Sequence, residues 1–321
     1  MKKISIIGCG NIGSRHLQAI SKIKEPLEVH IVEPNEESVK IAQARLKQDV
    51  SNMLNHQYVW HRNVEELNHK SDITIIATSA KNRVEVIKKL LEQEHVKFLV
   101  EKIVCQSSKE YKELIEEMKK FNAEGWINTP RRYFSSYKKI KEIISQDTPI
   151  EMKIEGSNFG LGTNAIHFID LFAWFVKDYK IQLNGDLLEE EILENKRGAD
   201  FMEFLGIIQG ISNKSNIKIK SMKNDGIPVR ISIKNPKYQL VIDENKEKVQ
   251  DILNSENNSW EFKNEYVSET TKKIVEDILS EKNCDLPKIE EHEYIHNEIF
   301  AMFNQHIYKI TGKKYSKCPI T

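Results

Sequence analysis

Residues 3–16 read Lys-Ile-Ser-Ile-Ile-Gly-Cys-Gly-Asn-Ile-Gly-Ser-Arg-His, an apolar run that leads directly into glycines spaced as GxGxxG. A helical pattern follows and opens at Asn11, with its apolar residues on one face. In such a unit the first glycine permits a tight turn, the second lets the backbone approach a pyrophosphate, and the third lets the helix pack against the strand. The stretch therefore predicts a dinucleotide site on Gly8, Gly10 and Gly13. Asn11 and Ile12 stand at the helix start, where unpaired N–H groups favour an anion.

An acidic residue in the expected place supports this prediction. A second apolar strand ends in Glu33, twenty residues beyond Gly13. A carboxylate there accepts hydrogen bonds from the adenosine ribose hydroxyls and repels a 2′-phosphate. We therefore expect NAD as the cofactor in preference to NADP, unless Lys40 or Arg45 folds back toward this position.

Composition places the chain among two-domain globular proteins. Its 321 residues exceed the size at which a single core stops growing. Lysine plus arginine, 48, balance aspartate plus glutamate, 48, so no net field attracts nucleic acid. No apolar stretch reaches the roughly 18 residues of a membrane span, and the four cysteines have no CxxC spacing. We expect a cytoplasmic protein with reduced cysteines, and neither nucleic acid nor a membrane as its partner.

Strand-like and helical patterns alternate through residues 1–130. Helical patterns at 36–48, 82–93 and 108–121 separate apolar strand-like runs at 3–7, 28–33, 57–60, 72–78, 97–102 and 125–129. This alternation predicts an α/β fold that begins with a Rossmann domain, a doubly wound parallel sheet. Ligands of such sheets bind beyond the carboxyl ends of the strands. Thr78, Ser79 and Glu101, at two of these ends, are therefore further candidates for cofactor binding.

The pattern changes in residues 131–321, the predicted second domain. A connecting helix at 135–146, a strand at 149–155 and a helix at 164–176 precede consecutive strands and then two long helices. The strands are at 202–211, 217–222, 229–234, 238–243 and 260–265, with a turn at 224–226, and the helices are at 268–281 and 290–311. Consecutive strands with short turns predict an α+β domain with a large, mostly antiparallel open sheet. The C-terminal helices are free to pack back on the first domain.

Three segments carry a resemblance to a known family. They read GCGNIGSRH at 8–16, VEKI at 100–103 and GLGTNAIHFID at 160–170. Together with the two-domain layout they resemble the Gfo/Idh/MocA family, named for glucose–fructose oxidoreductase, inositol dehydrogenase and a rhizopine-catabolism protein. The resemblance implies NAD(P)-dependent redox chemistry on sugars or related polyols. It also implies that Lys102, the lysine of the family's EKP motif, contacts substrate and takes part in proton transfer. His167 matches the family histidine on the first helix of the second domain, with Asp170 one turn further.

The chain departs from the family pattern at three positions. Ile103 replaces the EKP proline, which is often cis, so the local backbone is expected to differ. Arg83 stands where a histidine is common after the fourth strand. Thr163 stands where inositol-dehydrogenase-like members carry an aspartate that polarises the histidine, so their full relay is not expected here.

Two residues are candidates for acid/base chemistry. Lys102 ends an apolar strand and should emerge beside the cofactor. An ammonium group partly buried there, near a cationic nicotinamide, has its pKa lowered and suits general acid/base work on a hydroxyl. The alternative is a surface lysine paired with Glu101. His167 lies on a helix that is apolar nearly all round, where a histidine is either a catalytic group or a satisfied core residue.

Polar residues near that helix are candidates for substrate contact. Asn158, Thr163 and Asn164 lie in a glycine-rich loop and offer donors and acceptors for sugar hydroxyls. Asp170 follows on the helix itself. Arg131 follows a strand end and suits a substrate carboxylate or phosphate, or else lines the core.

A literal HExxH at 292–296 is the signature of zinc proteases. No aspartate or glutamate follows Glu298, so a downstream acidic ligand is missing, and the extended metzincin pattern is absent. We therefore predict no metal site, with His292 and His296 as surface residues on a C-terminal packing helix.

These patterns predict an NAD-dependent oxidoreductase that acts on a small molecule. It would transfer a hydride between nicotinamide and a carbinol or ketone of a sugar, a sugar derivative or a nucleotide-linked sugar. Lys102 is the leading acid/base, and His167 is a hydrogen-bonding partner or an alternate base. We expect a homodimer or homotetramer. The alternative is an NAD-binding regulatory or structural protein without redox turnover, which the residues at positions 103 and 163 keep open.

Overall fold

Contacts divide the chain into two compact units. A computed structural model describes residues 1–48, 56–144, 148–223, 226–254 and 258–321. The first unit comprises Met1–Cys105, Lys109–Tyr133 and Glu265–Glu290, and the second comprises Gln106–Ser108, Phe134–Asn264 and Glu291–Thr321. Residues 131–133 and 265–290 thus group with the first unit by their contacts, whereas the predicted boundary at residue 130 assigns them to the second domain.

The first unit is built on a parallel sheet of six strands. They are β1 (Lys2–Ile7), β2 (Leu27–Val32), β3 (Gln57–His61), β4 (Ile73–Ile76), β5 (Lys97–Glu101) and β6 (Glu124–Asn128). Their order is β3-β2-β1-β4-β5-β6, and every neighbouring pair is parallel. This is the Rossmann order, and it confirms the predicted fold. The carboxyl ends of β1, β2, β4 and β5 consequently lie along one edge of the sheet.

Helices cover this sheet because its strands are apolar on both faces. They are α1 (Gly13–Ile20), α2 (Glu36–Lys47), α3 (Arg83–Glu92), α4 (Ser108–Lys120) and, from the C-terminal part of the chain, α7 (Val267–Leu279). Ile4, Ile6 and Val29 of the sheet have no exposed surface. α7 contacts α1, and its Ile274 and Val275 join the same buried cluster.

The second unit contains a mixed sheet of eight strands. They are β7 (Glu151–Ser157), β8 (Gln182–Glu194), β9 (Met202–Ser212), β10 (Ser215–Met222), β11 (Arg230–Asn235), β12 (Tyr238–Asp243), β13 (Lys248–Asp251) and β14 (Ser259–Glu261). Their order is β14-β13-β12-β11-β7-β10-β9-β8. Only the β7–β10 pair is parallel, which confirms the predicted mostly antiparallel sheet. The helices are α5 (Ser135–Ile143), α6 (Leu161–Val176) and α8 (Glu293–Thr311).

One face of this sheet is apolar and the other is polar. On β10 Ile217 and Ile219 are buried, while Lys218 and Lys220 are half-buried. α6 packs against β9 and β10, so it covers part of the apolar face. None of the helices in the described parts of the chain combines the length and apolar character needed to span a bilayer.

Two strands were not predicted, and some bounds differ. β8 carries the acidic run 189–191 and shows two register irregularities, and β13 is short and polar. β8 is an edge strand, where exposed charges are tolerated, so it lacks the apolar alternation by which a strand is recognised. The strand predicted at 260–265 spans only Ser259–Glu261. The helix predicted to residue 146 ends at Ile143, and residues 145–147 and 224–225 lie outside the described residues.

Candidate functional site

The glycine-rich loop after β1 packs closely on its own backbone. Gly8 has φ +84°, and a Cβ added there would lie 3.0 Å from the backbone nitrogen of Thr78. A Cβ on Gly13 would lie only 1.9 Å from the carbonyl oxygen of Gly8. No side chain larger than hydrogen fits at position 13 without moving α1 away from β1. The loop therefore lies as close to the helix as the spacing predicts.

Space for an anion lies beside Gly10. Apart from Gly10 itself and its two chain neighbours, no described residue has an atom within 4 Å of a Cβ built on Gly10. α1 begins at Gly13, later than the predicted start at Asn11, and Ile12 is its N-cap residue. Among the described residues no side chain caps this helix end, and its first turn has no acidic residue. The backbone nitrogens of Ser14 and Arg15 already donate to the carbonyl oxygens of Gly10 and Ile12. The open space beside Gly10, at the positive end of the helix dipole, fits the pyrophosphate of a dinucleotide.

Glu33 lies directly against this loop. It is nearly buried, and its carboxylate accepts hydrogen bonds from the backbone nitrogens of Cys9, at 2.6 Å, and Asn35, at 2.9 Å. Arg45 does fold back toward the loop, but onto Asn11, where a guanidinium nitrogen is 3.2 Å from the carbonyl oxygen. Lys40 pairs with Glu37 on the exposed face of α2. The negative charge at the end of β2 is thus held next to the glycines.

A buried arginine joins the ends of β4 and β5. Arg83 is 2% exposed and donates hydrogen bonds to the carbonyl oxygens of Thr78, Glu101 and Ile103. Thr78 is half-buried and Ser79 is exposed at the same edge. The Lys102–Ile103 peptide bond is cis although residue 103 is not proline. Arg83 therefore organises the backbone around Lys102.

Lys102 is a buried residue. It is 4% exposed, so the alternative of a surface lysine is wrong. The neighbouring Glu101 carboxylate lies 3.1 Å from Nε2 of His16 and accepts a 2.5 Å hydrogen bond from Nδ2 of Asn128. Burial alone would raise the pKa of Glu101. Interactions with His16, Asn128 and the Lys102 charge outweigh that effect and lower the pKa of Glu101 to about 2. Lys102 therefore lies beside Glu101, a carboxylate that is ionised at neutral pH.

His16 was missed by sequence reasoning. It has no exposed surface, and its Nδ1 is 2.9 Å from Oγ1 of Thr271 on α7. The available signal was its position three residues after Gly13, on the face of α1 that turns inward. A polar residue on a buried helix face requires partners, and here they are Thr271 and Glu101.

The candidate substrate residues of the second unit lie in the loop before α6 and on α6 itself. Asn158 is exposed with φ +52°, and Thr163 and Asn164 are half-buried, with the Asn164 side chain donating to the carbonyl oxygen of Phe159. His167 is half-buried one turn beyond Thr163 on α6. Arg131 belongs to the first unit, in a 3₁₀ turn at Pro130–Tyr133, and is half-buried.

Asp170 lies in the interior of the second unit. It has no exposed surface, and its Oδ1 is 3.1 Å from Nε2 of His292. The prediction of a substrate contact is corrected here, because a carboxylate with no exposed surface is not available to a substrate. Its observed role is to satisfy a buried histidine.

The HExxH histidines are core residues. His292 and His296 both have no exposed surface, so the prediction that they lie at the surface is wrong. Their Nδ1 atoms are 3.1 Å apart, and His296 Nδ1 is also 3.1 Å from the carbonyl oxygen of His292. Within the described ranges no group of three or more His, Cys, Asp or Glu is arranged to hold a metal ion. The absence of zinc stays a prediction.

Comparison with known families identifies the first unit. Residues 2–128 match the model of the Gfo/Idh/MocA family, described as an oxidoreductase family with an NAD-binding Rossmann fold. No curated protein matches the chain.

Solved structures share the fold over nearly the full chain. An oxidoreductase from Agrobacterium radiobacter in complex with NAD+, L-tartaric acid and magnesium is 12% identical with a TM-score of 0.71, and 98% of each chain is covered. A UDP-N-acetylglucosamine 3-dehydrogenase from Acidithiobacillus ferrooxidans is 14% identical with a TM-score of 0.68, covering 94% of this chain and 96% of that one. The super-repressor mutant of Gal80p from Saccharomyces cerevisiae is 15% identical with a TM-score of 0.69 and 96% coverage of both. At these identities the likeness shows the fold alone.

Proposed function

We propose that this chain, whose residues 2–128 match the NAD-binding Rossmann domain of the Gfo/Idh/MocA oxidoreductase family, is an NAD-dependent dehydrogenase or reductase. Its substrate would be a sugar, a sugar derivative or a nucleotide-linked sugar, with the hydride transferred to or from a carbinol or ketone carbon. The observation that carries this proposal is Lys102, which is buried at the carboxyl end of β5 beside an ionised Glu101. That edge of a Rossmann sheet is where the ligand binds.

Residues of the first unit suit both cofactor binding and proton transfer. The start of α1 and the space beside Gly10 would hold the pyrophosphate, and Glu33 would accept hydrogen bonds from the ribose. Bound NAD supplies the hydride acceptor. Lys102 would take the proton of the substrate hydroxyl in oxidation and return it in reduction, since hydride leaves a carbinol carbon readily only as its O–H proton is withdrawn.

Residues of the second unit would bind the sugar. Asn158 offers hydrogen-bonding groups in the loop before α6, Thr163 and Asn164 offer them in the first turn of α6, and His167 follows on the same helix. We propose His167 as a hydrogen-bonding partner of the reacting oxygen or an alternate base. The name of the Acidithiobacillus structure supports a nucleotide-linked sugar as one substrate class to test. We also propose a homodimer or homotetramer as the assembled form.

Turnover on a substrate panel tests the proposal. Purified protein would be incubated with NAD and free sugars, polyols or nucleotide-linked sugars, and NADH formation followed by absorbance. We expect turnover within one of these classes and turnover about 10²–10⁴-fold lower on the same substrate for Lys102→Met. Retained NAD binding without turnover on the whole panel would contradict the proposal.

The second candidate is an NAD-binding regulatory protein without redox turnover. Position 163, where inositol-dehydrogenase-like members have a carboxylate, is threonine, and Gal80p, a structure described as a super-repressor mutant, has the same fold. Tight binding of a protein partner, modulated by NAD, together with failure on the substrate panel, would favour this function.

The position of Glu33 predicts the cofactor preference. We expect the wild type to bind NAD at least about tenfold more tightly than NADP, because a 2′-phosphate would be placed against a nearly buried carboxylate. Replacing Glu33 with alanine should narrow or remove this difference. Titration of both cofactors into the two proteins measures it, with Glu37→Ala on the exposed face of α2 as a control. Equal or tighter NADP binding by the wild type would contradict the assignment.

A further inference from the structure

A carboxylate from β9 occupies the start of α6. Glu203 accepts hydrogen bonds through Oε1 from the backbone nitrogens of Gly162, at 2.5 Å, and Phe204, at 3.0 Å. Its Oε2 accepts from Oγ1 of Thr163, at 2.7 Å, and from Nδ2 of Asn195, at 3.2 Å. Asn195 also donates to Oγ1 of Thr163, at 2.8 Å. The first turn of α6 is thus joined to β9 through one side chain.

The glycines of the loop make room for this carboxylate. A Cβ on Gly160 would lie 2.5 Å from Oε2 of Glu203, and a Cβ on Gly162 would lie 2.9 Å from Oε1. Gly160 also has φ +69°, a conformation that glycine adopts without steric cost. The backbone path of the loop and the position of the carboxylate therefore depend on each other.

The hydrogen bonds around Glu203 require a side chain that accepts at both of its terminal atoms. Four donors converge on Glu203, and a carboxylate accepts at both oxygens, whereas an amide accepts at one and donates at the other. In a Glu203→Gln variant one of the two sides would present an N–H group to existing donors. Rotation of the Asn195 amide to relieve this conflict would break the hydrogen bond that its Oδ1 accepts from the backbone nitrogen of Arg197, at 2.9 Å.

This carboxylate lies next to the residues assigned to the substrate. Thr163 and His167 are four residues apart on α6, so they share one face of the helix. Position 163 itself has no acidic group, and Glu203 brings one to 2.7 Å from its hydroxyl. A negatively charged group therefore does lie at the start of α6, but it belongs to β9, forty residues further along the chain.

We propose that Glu203 is a positioning residue of the substrate site, which holds Thr163 and the loop before α6 in the conformation that binds the sugar. This inference rests on the proposed function. Glu203 acts through Thr163 and the loop backbone, so its loss should impair use of the substrate and leave NAD binding, a property of the first unit, unchanged.

Glu203→Gln and a matched Asp251→Asn variant test the role. Asp251 is also a carboxylate of the second unit that accepts from two backbone nitrogens and an asparagine amide, those of Gln239, Leu253 and Asn254. We expect Glu203→Gln to lower kcat/KM for the substrate roughly 10- to 100-fold, the scale of a misplaced substrate, with an unchanged Kd for NAD. Asp251→Asn should lower the melting temperature about as much as Glu203→Gln does, while its kcat/KM stays within about twofold of the wild-type value.

A conservative variant separates positioning from general stability. Glu203→Asp keeps a carboxylate at this position with Thr163 in place, and we expect it to retain clearly more of kcat/KM than Glu203→Gln. The positioning role would be overturned if Glu203→Gln kept the wild-type kcat/KM, or if Glu203→Gln and Asp251→Asn lost kcat/KM equally. Neither result would affect the proposed function. A wild type without turnover on any sugar would instead refute the proposed function, and this inference with it.

Discussion

Replacing Lys102 with methionine is expected to lower turnover about 10²–10⁴-fold, the usual span for loss of a general acid/base, without loss of NAD binding. Methionine keeps an unbranched chain of similar length at a position that is 4% exposed, so the packing at the end of β5 is retained. The amine, however, is lost. Steady-state kinetics on the substrate found in the panel, together with an NADH titration, measure the two quantities.

Two comparison variants define the role of Lys102. Lys97→Met changes a lysine at the other end of β5, where it lies 3.8 Å from the exposed Glu281, and should leave turnover unchanged. His167→Ala should lose less than Lys102→Met, because the proposed role of His167 is to orient the reacting oxygen by a hydrogen bond and not to carry the proton. Near-wild-type turnover in Lys102→Met with none in His167→Ala would reverse the two roles.

The largest effect on folding is expected from Gly13→Ala. The new methyl carbon would lie 1.9 Å from the carbonyl oxygen of Gly8, far inside contact distance, and the obstacle is backbone that cannot rotate away. We expect a loss of at least about 3 kcal/mol in the free energy of unfolding, at the upper end of the range for overpacking. NAD binding should be lost with it. Urea unfolding and NAD titration measure both effects.

Gly10→Ala is the matched control for this variant. Apart from its chain neighbours, the methyl group meets no described atom within 4 Å, so the free energy of unfolding should change by no more than about 1 kcal/mol. NAD affinity should still fall, because the methyl group would occupy the space proposed for the pyrophosphate. Unaltered NAD affinity in Gly10→Ala would place the pyrophosphate elsewhere, and normal stability of Gly13→Ala would contradict the observed loop.

Local patterns were sufficient for the first unit. A parallel strand buried on both faces appears as a continuous apolar run, and a covering helix has its own period, so alternation of the two predicts a Rossmann sheet. The three glycines at 8, 10 and 13 added the cofactor loop, because their GxGxxG spacing directly follows a strand and leads into a helix. The cofactor class and the strand ends that carry Glu33 and Lys102 follow from these short-range features.

Tertiary structure alone decided which polar side chains are partners. His16 meets Glu101 across 85 residues, His292 meets Asp170 across 122, and Glu203 meets Thr163 across 40. These separations reflect strand order and helix packing, which residue type and periodicity do not encode. For this reason the sequence predicted His292 and His296 at the surface and no carboxylate beside Thr163. Only the folded chain shows that both histidines are buried and that Glu203 supplies a carboxylate to Thr163. A buried polar group must find a partner, but its own sequence neighbourhood does not say which one.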